Sequence, residues 1–398
     1  MDSLKSKIQD AVSIYLEDAV RLSRDLAEHP ELPYQEYESS RKMAAILEDA
    51  GFQVTYPYAG YDTAFCAEFD NGEGPSVAFL AEYDALPEIG HGCGHNLHGS
   101  LSVLSGLAMH HLKDEFHGKV YVIGTPAEEE NGAKIGMAEQ GIFDSMSMAV
   151  MMHSNPGGYC VADMDVLSLR CYVVEFFGET AHAVMAPWDG KSALAAGRKF
   201  LDLIDARREC FTPDIHVNAV ILDGGKAPNI IPDYCKIRME FRTSSMSRLL
   251  KADEMIKKCA NAAAMALDCT VKLSFGLSDF ADMVRNVPME EEITTIMKGY
   301  GLKVKDIPPA AGSSDVGNVS YRCPSIQTLL SITDEPLALH TKAFRDATLK
   351  PEAHTAMEKG ACSLVELTLK VLNDDAFRQK VYNAWKEELE KKKKLIES

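Results

Sequence analysis

Three short apolar runs in this chain lead into residues of the types that can bind metals. The runs are Ser76-Val-Ala-Phe-Leu-Ala, Val120 to Gly124 and Met148 to Met152. They are apolar on both faces, as strands buried in a parallel sheet are. The first leads on to His91-Gly-Cys-Gly-His-Asn-Leu-His-Gly-Ser, the second empties into Thr125-Pro-Ala-Glu-Glu-Glu, and the third ends at His153. Open α/β sheets gather their ligands beyond the carboxyl ends of their strands. A chain patterned this way is constrained to bring three donor sets to one edge of one sheet.

Helical patterns alternate with these runs. Ile8, Val12, Tyr15, Ala19, Leu22 and Leu26 recur at steps of four and three and predict a helix from Ser3 to about Ala27. Met43, Ile46 and Leu47 predict a second over Glu38 to Asp49, and Leu97, Leu101, Leu104, Leu107, Ala108 and His111 a third, directly after the His/Cys loop. Between the first two, His29-Pro-Glu-Leu-Pro-Tyr reads as a proline-punctuated loop. Strand, loop, helix, strand is the pattern of a doubly wound α/β sheet.

A chain of 398 residues exceeds the roughly 250 to 300 at which single cores stop growing. The texture changes near Val166. From Leu167 the order is strand (Leu169 to Phe177), helix (Lys191 to Arg208), strand (His216 to Leu222), strand (Tyr234 to Arg242), helix (Ser247 to Leu267) and strand (Thr270 to Phe275). That β-α-β-β-α-β order is a ferredoxin-like unit. We therefore expect a doubly wound domain with a mixed, mostly parallel sheet, made of residues 1–166 and 277–398. An α+β unit, residues 167–276, interrupts it.

Composition excludes several function classes. A formal net charge of −18 repels phosphate backbones and anionic lipid, so neither nucleic acid nor a membrane is an expected partner. The apolar fraction of 46% contains no run long enough to span a bilayer. The N-terminus lacks the apolar core of a secretory signal, and ten cysteines without paired spacing suggest reduced thiols, so a cytoplasmic location is expected. The run Lys391 to Lys394 reads as the solvated last turn of a helix beginning near Asp375.

Cys-Gly-His alone is a weak signal, because it lacks the paired spacing of a structural zinc site. Cys93 can equally be a buried thiol, and each histidine a structural one. The wider constellation carries more weight. Glu128 and Glu129 follow a proline at a strand end, and adjacent carboxylates there can divide the labour of metal hydrolysis, one as ligand and the other as proton carrier. Cys93, His95, Glu129, His153 and His340 make five donors, more than the three protein ligands of one catalytic zinc. Two divalent transition metal ions are indicated, with zinc or manganese both compatible with such donors.

The motifs Ala81-Glu-Tyr-Asp-Ala-Leu-Pro, Gly90-His-Gly-Cys-Gly-His-Asn, Gly124-Thr-Pro-Ala-Glu-Glu, His153, Gly178-Glu-Thr-Ala-His-Ala, Asn229-Ile-Ile-Pro and Leu339-His340 run in order along nearly the whole chain. Together they resemble the aminoacylase/carboxypeptidase metallopeptidase family, and most closely its amidohydrolase branch. The resemblance implies cleavage of N-acyl or N-aminoacyl amino acids, such as aminobenzoyl-glutamate-like conjugates or dipeptides. It implies Cys93, His95, Glu129, His153 and His340 as the ligands of a dinuclear centre. It further implies Glu128 as the general base and Asp84 as the residue that orients a ligand histidine. Other branches carry a metal-binding histidine two residues before that aspartate, where this chain has Glu82. Their bridging aspartate is also absent, and Cys93 takes its part.

The inserted unit resembles the family's lid and dimerisation domain, which implies a homodimer. His182 falls on the lid histidine that stabilises the oxyanion in the partner's site, and Asn229 on an asparagine near the substrate. Arg242 and Ser314, in the loop Gly312 to Val316, are candidates for holding the substrate, although for Arg242 a salt bridge at a strand end serves as well. Two rivals stay open at this level. One is a thiol hydrolase with Cys93 as nucleophile and His95 as its base. The other is a non-catalytic binding or regulatory protein on the same scaffold.

Overall fold

The computed structural model describes residues 2–397. Among these residues the strands are β1 (Gln53–Thr55), β2 (Phe65–Asn71), β3 (Ser76–Ala81), β4 (Gly118–Gly124), β5 (Met148–Asn155), β6 (Cys160–Val161), β7 (Ser168–Phe177), β8 (His216–Asp223), β9 (Tyr234–Thr243), β10 (Thr270–Phe275), β11 (Val304–Lys305) and β12 (Ser325–Ser331). The chain divides into two compact units. The first comprises the chain up to Asp165 and Met283–Lys391, and the second comprises Val166–Asp282 and the chain from Lys392 onward.

In the first unit eight strands form one sheet in the order β1-β2-β4-β3-β5-β12-β6-β11. The central strands β4, β3, β5 and β12 pair in parallel, whereas β1 and β2 add antiparallel at one edge. β6 runs antiparallel to β12, and β11 parallel to β6. Parallel strands must be covered on both faces, and β3 and β5 are buried along almost their whole length. Helices Asp2–Glu28, His95–His111 and Pro351–Asn373 contribute Ile8, Leu22, Leu101, Leu104, Leu364 and Val365 to the core, against Val77, Phe79, Val120, Val122, Val150 and Ile326 of the sheet. β5 continues to Asn155, so His153 lies within the strand instead of closing it.

Helix His95–His111 is pressed against the sheet so closely that two glycines are obligatory. Gly94, before its first turn, has φ +85°, and a Cβ there would stand 2.7 Å from the Ser154 side chain. Only glycine adopts that region without cost. A Cβ on Gly99 would lie 1.9 Å from the Glu82 carbonyl oxygen, so any side chain at that position would push the helix off the end of β3.

The second unit holds an antiparallel sheet in the order β10-β7-β9-β8. Helices Ala193–Arg207 and Met246–Ala266 complete the ferredoxin-like β-α-β-β-α-β order. Each begins at a serine whose side chain accepts a backbone N–H, Ser192 from Ala195 and Ser245 from Arg248. The core is Val174, Phe176, Ile237 and Phe241 of the sheet against Phe200, Ile204, Leu249 and Ile256 of the helices. Edge strand β8 leaves Val220, Ile221 and Leu222 exposed.

The expectation of a fully solvated basic run fails at Lys392. Its side chain is only 17% exposed, and its ammonium pairs with the buried carboxylate of Asp282. A buried carboxylate needs a counter-charge, which the helix periodicity did not reveal. Among the described residues no helix is long and apolar enough to cross a membrane.

Candidate metal centre

The carboxyl ends of β3, β4 and β5 deliver the candidate donors to one place. Four sets of donor atoms each lie within 4.8 Å of one another: Cys93 with Glu129 and His340, His95 with Glu128 and Glu129, Glu82 with Glu128 and Asp315, and His95 with His153, Glu82 and His98. Cys93 Sγ lies 3.2 Å from His153 Nε2, which joins the first set to the last.

Backbone and carboxylate contacts decide which nitrogen of each ring faces the cluster. His95 Nδ1 lies 2.9 Å from both the carbonyl and the carboxylate of Asp84. These are acceptors, so Nδ1 carries a proton and donates, which turns Nε2 toward the cluster and leaves the lone pair there whenever the ring is neutral. His153 Nδ1 likewise donates to the Ser154 carbonyl at 2.9 Å and aims an unprotonated Nε2 at Cys93. The buried His95 Nε2 and Glu129 Oε1 have no hydrogen-bond partner. They stand 3.9 Å apart, with His340 Nε2 3.3 Å from the same Glu129 oxygen. Buried polar atoms without partners are costly, and imidazole nitrogens, a thiol and a carboxylate gathered in these overlapping sets are what cations would satisfy. The donor set fits divalent metal.

His340 is placed by its backbone. It has φ 60°, and its N–H donates to the Gly92 carbonyl at 2.9 Å, which ties the loop after β12 to the His/Cys loop.

The charges of the adjacent glutamates are pushed in opposite directions. Burial, reinforced by the Glu82 and Glu129 carboxylates, raises Glu128 well above the ordinary carboxylate range. Burial would raise Glu129 too, but its contact with His340 and the nearby His95 hold it below its usual value. Neighbouring carboxylates with separated pKa values are suited to separate roles, one able to hold a proton and the other to remain an anion. Burial pushes the Cys93 thiol well up, only partly offset by His95.

Four residues that the sequence reading left unassigned complete the cluster. Glu82 is fully buried, and its Oε1 accepts from Lys134 Nζ at 2.7 Å. Its Oε2 accepts from His98 Nε2 at 2.9 Å. The backbone N–H of Ser154 occupies His98 Nδ1, so that ring is spent on structural bonds. Lys134, wholly buried, also donates to Asp315 Oδ1 at 2.7 Å. His98 was detectable, standing three residues after His95 and so on the same helix face. Lys134 was not, because a lysine in a short helix normally points to water.

The remaining candidates are placed as follows. Asp84 also accepts the Glu129 N–H on Oδ2, at 3.0 Å. Ser314 is buried, and its neighbour Asp315 is the residue of that loop grouped with Glu82 and Glu128. His182 and Asn229 belong to the second unit, where Ala183 N–H donates to the Asn229 carbonyl at 2.9 Å. His182 is exposed, and its Nδ1 accepts the N–H groups of Val184 and Met185, both at 3.2 Å. Arg242, on β9, lies 3.3 Å from Glu240.

Known proteins share both the sequence and the fold. A family model described as a peptidase dimerisation domain matches residues 168–267. The chain is 30% identical to Xaa-Arg dipeptidase of Mus musculus over 412 aligned positions, covering 99% of this chain and 95% of that protein. It is 28% identical to a p-aminobenzoyl-glutamate hydrolase component of Escherichia coli (strain K12), over 69% of this chain and 61% of that one. Its fold matches a crystal structure from Bacillus subtilis described as a dinuclear metal binding peptidase from the M20 family. The TM-score is 0.69 at 19% identity, covering 90% of this chain and 99% of the other.

Proposed function

The chain belongs to the M20 peptidase family and is a hydrolase of amide bonds, and from that premise we propose that it cleaves the amide of N-acyl or N-aminoacyl amino acids, dipeptides included, at a centre of two divalent metal ions. The observation that carries the reading is that His95 and His153 both turn Nε2 toward the cluster, where the buried His95 Nε2 and Glu129 Oε1 have no hydrogen-bond partner. Cys93, His95, Glu129, His153 and His340 would hold the ions. Zinc suits the thiolate and imidazoles, and manganese is compatible with the carboxylate. When bound, such ions supply Lewis-acid chemistry, polarising the scissile carbonyl and acidifying water.

Glu128 takes the proton of the attacking water and returns it to the leaving amine. Its raised pKa suits a group that must hold a proton between taking it from water and passing it on. Asp84 keeps His95 in the required tautomer. His182 has Nδ1 occupied by two backbone N–H groups, which leaves Nε2–H to donate to the oxyanion. The match to a dimerisation domain supports a homodimer formed through the second unit, with His182 serving the neighbouring protomer. Asn229, Arg242 and Ser314 are assigned to the substrate. The mouse relative's name, Xaa-Arg dipeptidase, adds dipeptides ending in arginine to the substrate class. Ten unpaired cysteines support a cytoplasmic location.

Elemental analysis and turnover on a panel of acyl-glutamates and Xaa-Arg dipeptides test this reading. About two metals per chain are expected, with activity lost to chelator and restored by zinc or manganese. Glu128→Gln should keep its metals and lose about 10² to 10⁴ in kcat, whereas Glu129→Gln should lose metal first. Full turnover in chelator, with less than about one metal bound, overturns the mechanism.

A further inference from the structure

Glu36 is a buried carboxylate that this reaction does not use. It immediately precedes helix Tyr37–Asp49, yet its side chain does not cap that helix. It is fully shielded from water, and both oxygens are committed at a distance in sequence. Oε2 accepts the Thr63 hydroxyl at 2.9 Å, and Oε1 accepts the Ala127 N–H at 2.9 Å. Thr63 is itself fixed, because the hydroxyl of Tyr83, between Glu82 and Asp84, donates to its carbonyl at 2.6 Å.

Ala127 stands directly before Glu128 and Glu129 and has φ 63°. That is the left-handed region, which a residue with a Cβ enters only when its surroundings impose it. The carbonyl of Ala127 then accepts the Gly132 N–H at 2.8 Å, closing the turn, and Asp84 takes the Glu129 N–H at 3.0 Å. Two carboxylates thus grip alternate backbone N–H groups of the turn that carries both functional glutamates. Asp84 comes from the same strand end as the cluster. Glu36 comes from elsewhere and is the anchor on the residue whose backbone is unfavourable.

We propose that Glu36 is a positioning residue for the hydrolysis: by accepting the Ala127 N–H it holds Ala127 in the left-handed region and so aims Glu128 and Glu129 into the cluster. The inference rests on the roles given above to those two glutamates. Without the anchor, Ala127 relaxes to an ordinary φ, and the two side chains that follow rotate away. A misplacement of about 1 Å at a reacting group costs on the order of 10²-fold in rate.

The test uses the full-length, metal-loaded protein. Glu36→Ala should lower kcat by about 10²-fold with KM nearly unchanged, and should weaken metal retention in a chelator competition, because Glu129 moves with the turn. Glu36→Gln, which keeps an acceptor for Ala127, should stay within about threefold of wild type by the same positioning argument. Adding Ala127→Gly to Glu36→Ala should recover at least about tenfold, because glycine enters the left-handed region without an anchor. A merely structural role would not produce that recovery. Wild-type kcat and metal retention in Glu36→Ala overturn the proposal, as does a folded double variant that recovers nothing. If Glu36→Ala does not fold but the double variant folds and turns over, the proposal stands. If neither folds, Glu36 belongs to the general architecture and the proposal falls. Failure of the underlying reading is distinguishable, since Glu128→Gln and Glu129→Gln would then both keep full activity.

Discussion

Lys134→Met is the substitution whose cost can be worked most directly from the structure. The ammonium of Lys134 sits 2.7 Å from Glu82 and 2.7 Å from Asp315, and all three side chains are 0% exposed. Methionine keeps the length and apolar volume of the lysine stem but leaves two carboxylates buried without their cation. Breaking a buried ion pair by removing one partner costs about 3 to 5 kcal/mol. Part of this is recoverable by protonation. Burial already raises Asp315 to about 6 even with Lys134 opposing it, and removing the cation raises it further. A carboxyl whose folded pKa is raised contributes stability below its unfolded value, and that stability is lost as pH rises through the folded value. The variant's deficit should therefore be smallest near pH 5 and reach the full ~3 to 5 kcal/mol near pH 8. The assay is urea denaturation of metal-free protein in a Trp188→Phe background, which leaves Trp385 as reporter. Trp385 suits the purpose because its indole N–H donates to the Ser320 carbonyl at 2.7 Å, inside the unit that holds Lys134. A deficit below about 1 kcal/mol at pH 8, the scale of an exposed pair, or one that does not grow with pH, would refute the reasoning.

Two further outcomes are expected. Burial raises Asp163 well above the carboxylate range, so wild type should lose stability relative to Asp163→Asn as pH rises from about 4. Parallel denaturation midpoints across pH would instead mean that Asp163 is ionised and held by Arg285, 3.7 Å away. Homodimers of His182→Ala and of Glu128→Gln should each be nearly inactive, yet mixing them after dissociation should regenerate roughly a quarter of the wild-type sites if each site joins two chains. Activity that stays at the homodimer level, with heterodimers confirmed by native mass spectrometry, would place His182 in its own chain's site or in none.

Sequence periodicity by itself determined the layers of this protein. Runs apolar on both faces could only be central strands, and those of β3, β4 and β5 are where the patterns put them. The β-α-β-β-α-β order of the second unit was legible for the same reason, since alternation and 3.6-residue spacing are local properties of the chain. The donor types were legible too, because cysteine, histidine and paired glutamates at strand ends are few and chemically distinctive. What the sequence could not decide was which polar atoms are already spent. His98 and His95 are three residues apart, yet one ring is consumed by Glu82 and Ser154 while the other keeps an unpartnered Nε2. That difference depends on an acceptor just beyond β3 and a backbone N–H donor from β5. Lys134 pairs with Asp315, 181 residues away, and Glu36 grips Ala127 across 91. Such partners are chosen by the geometry of a folded sheet and by the cost of leaving a buried charge or N–H unsatisfied. No local pattern encodes that cost, so the anchors of the cluster emerged only from the tertiary structure.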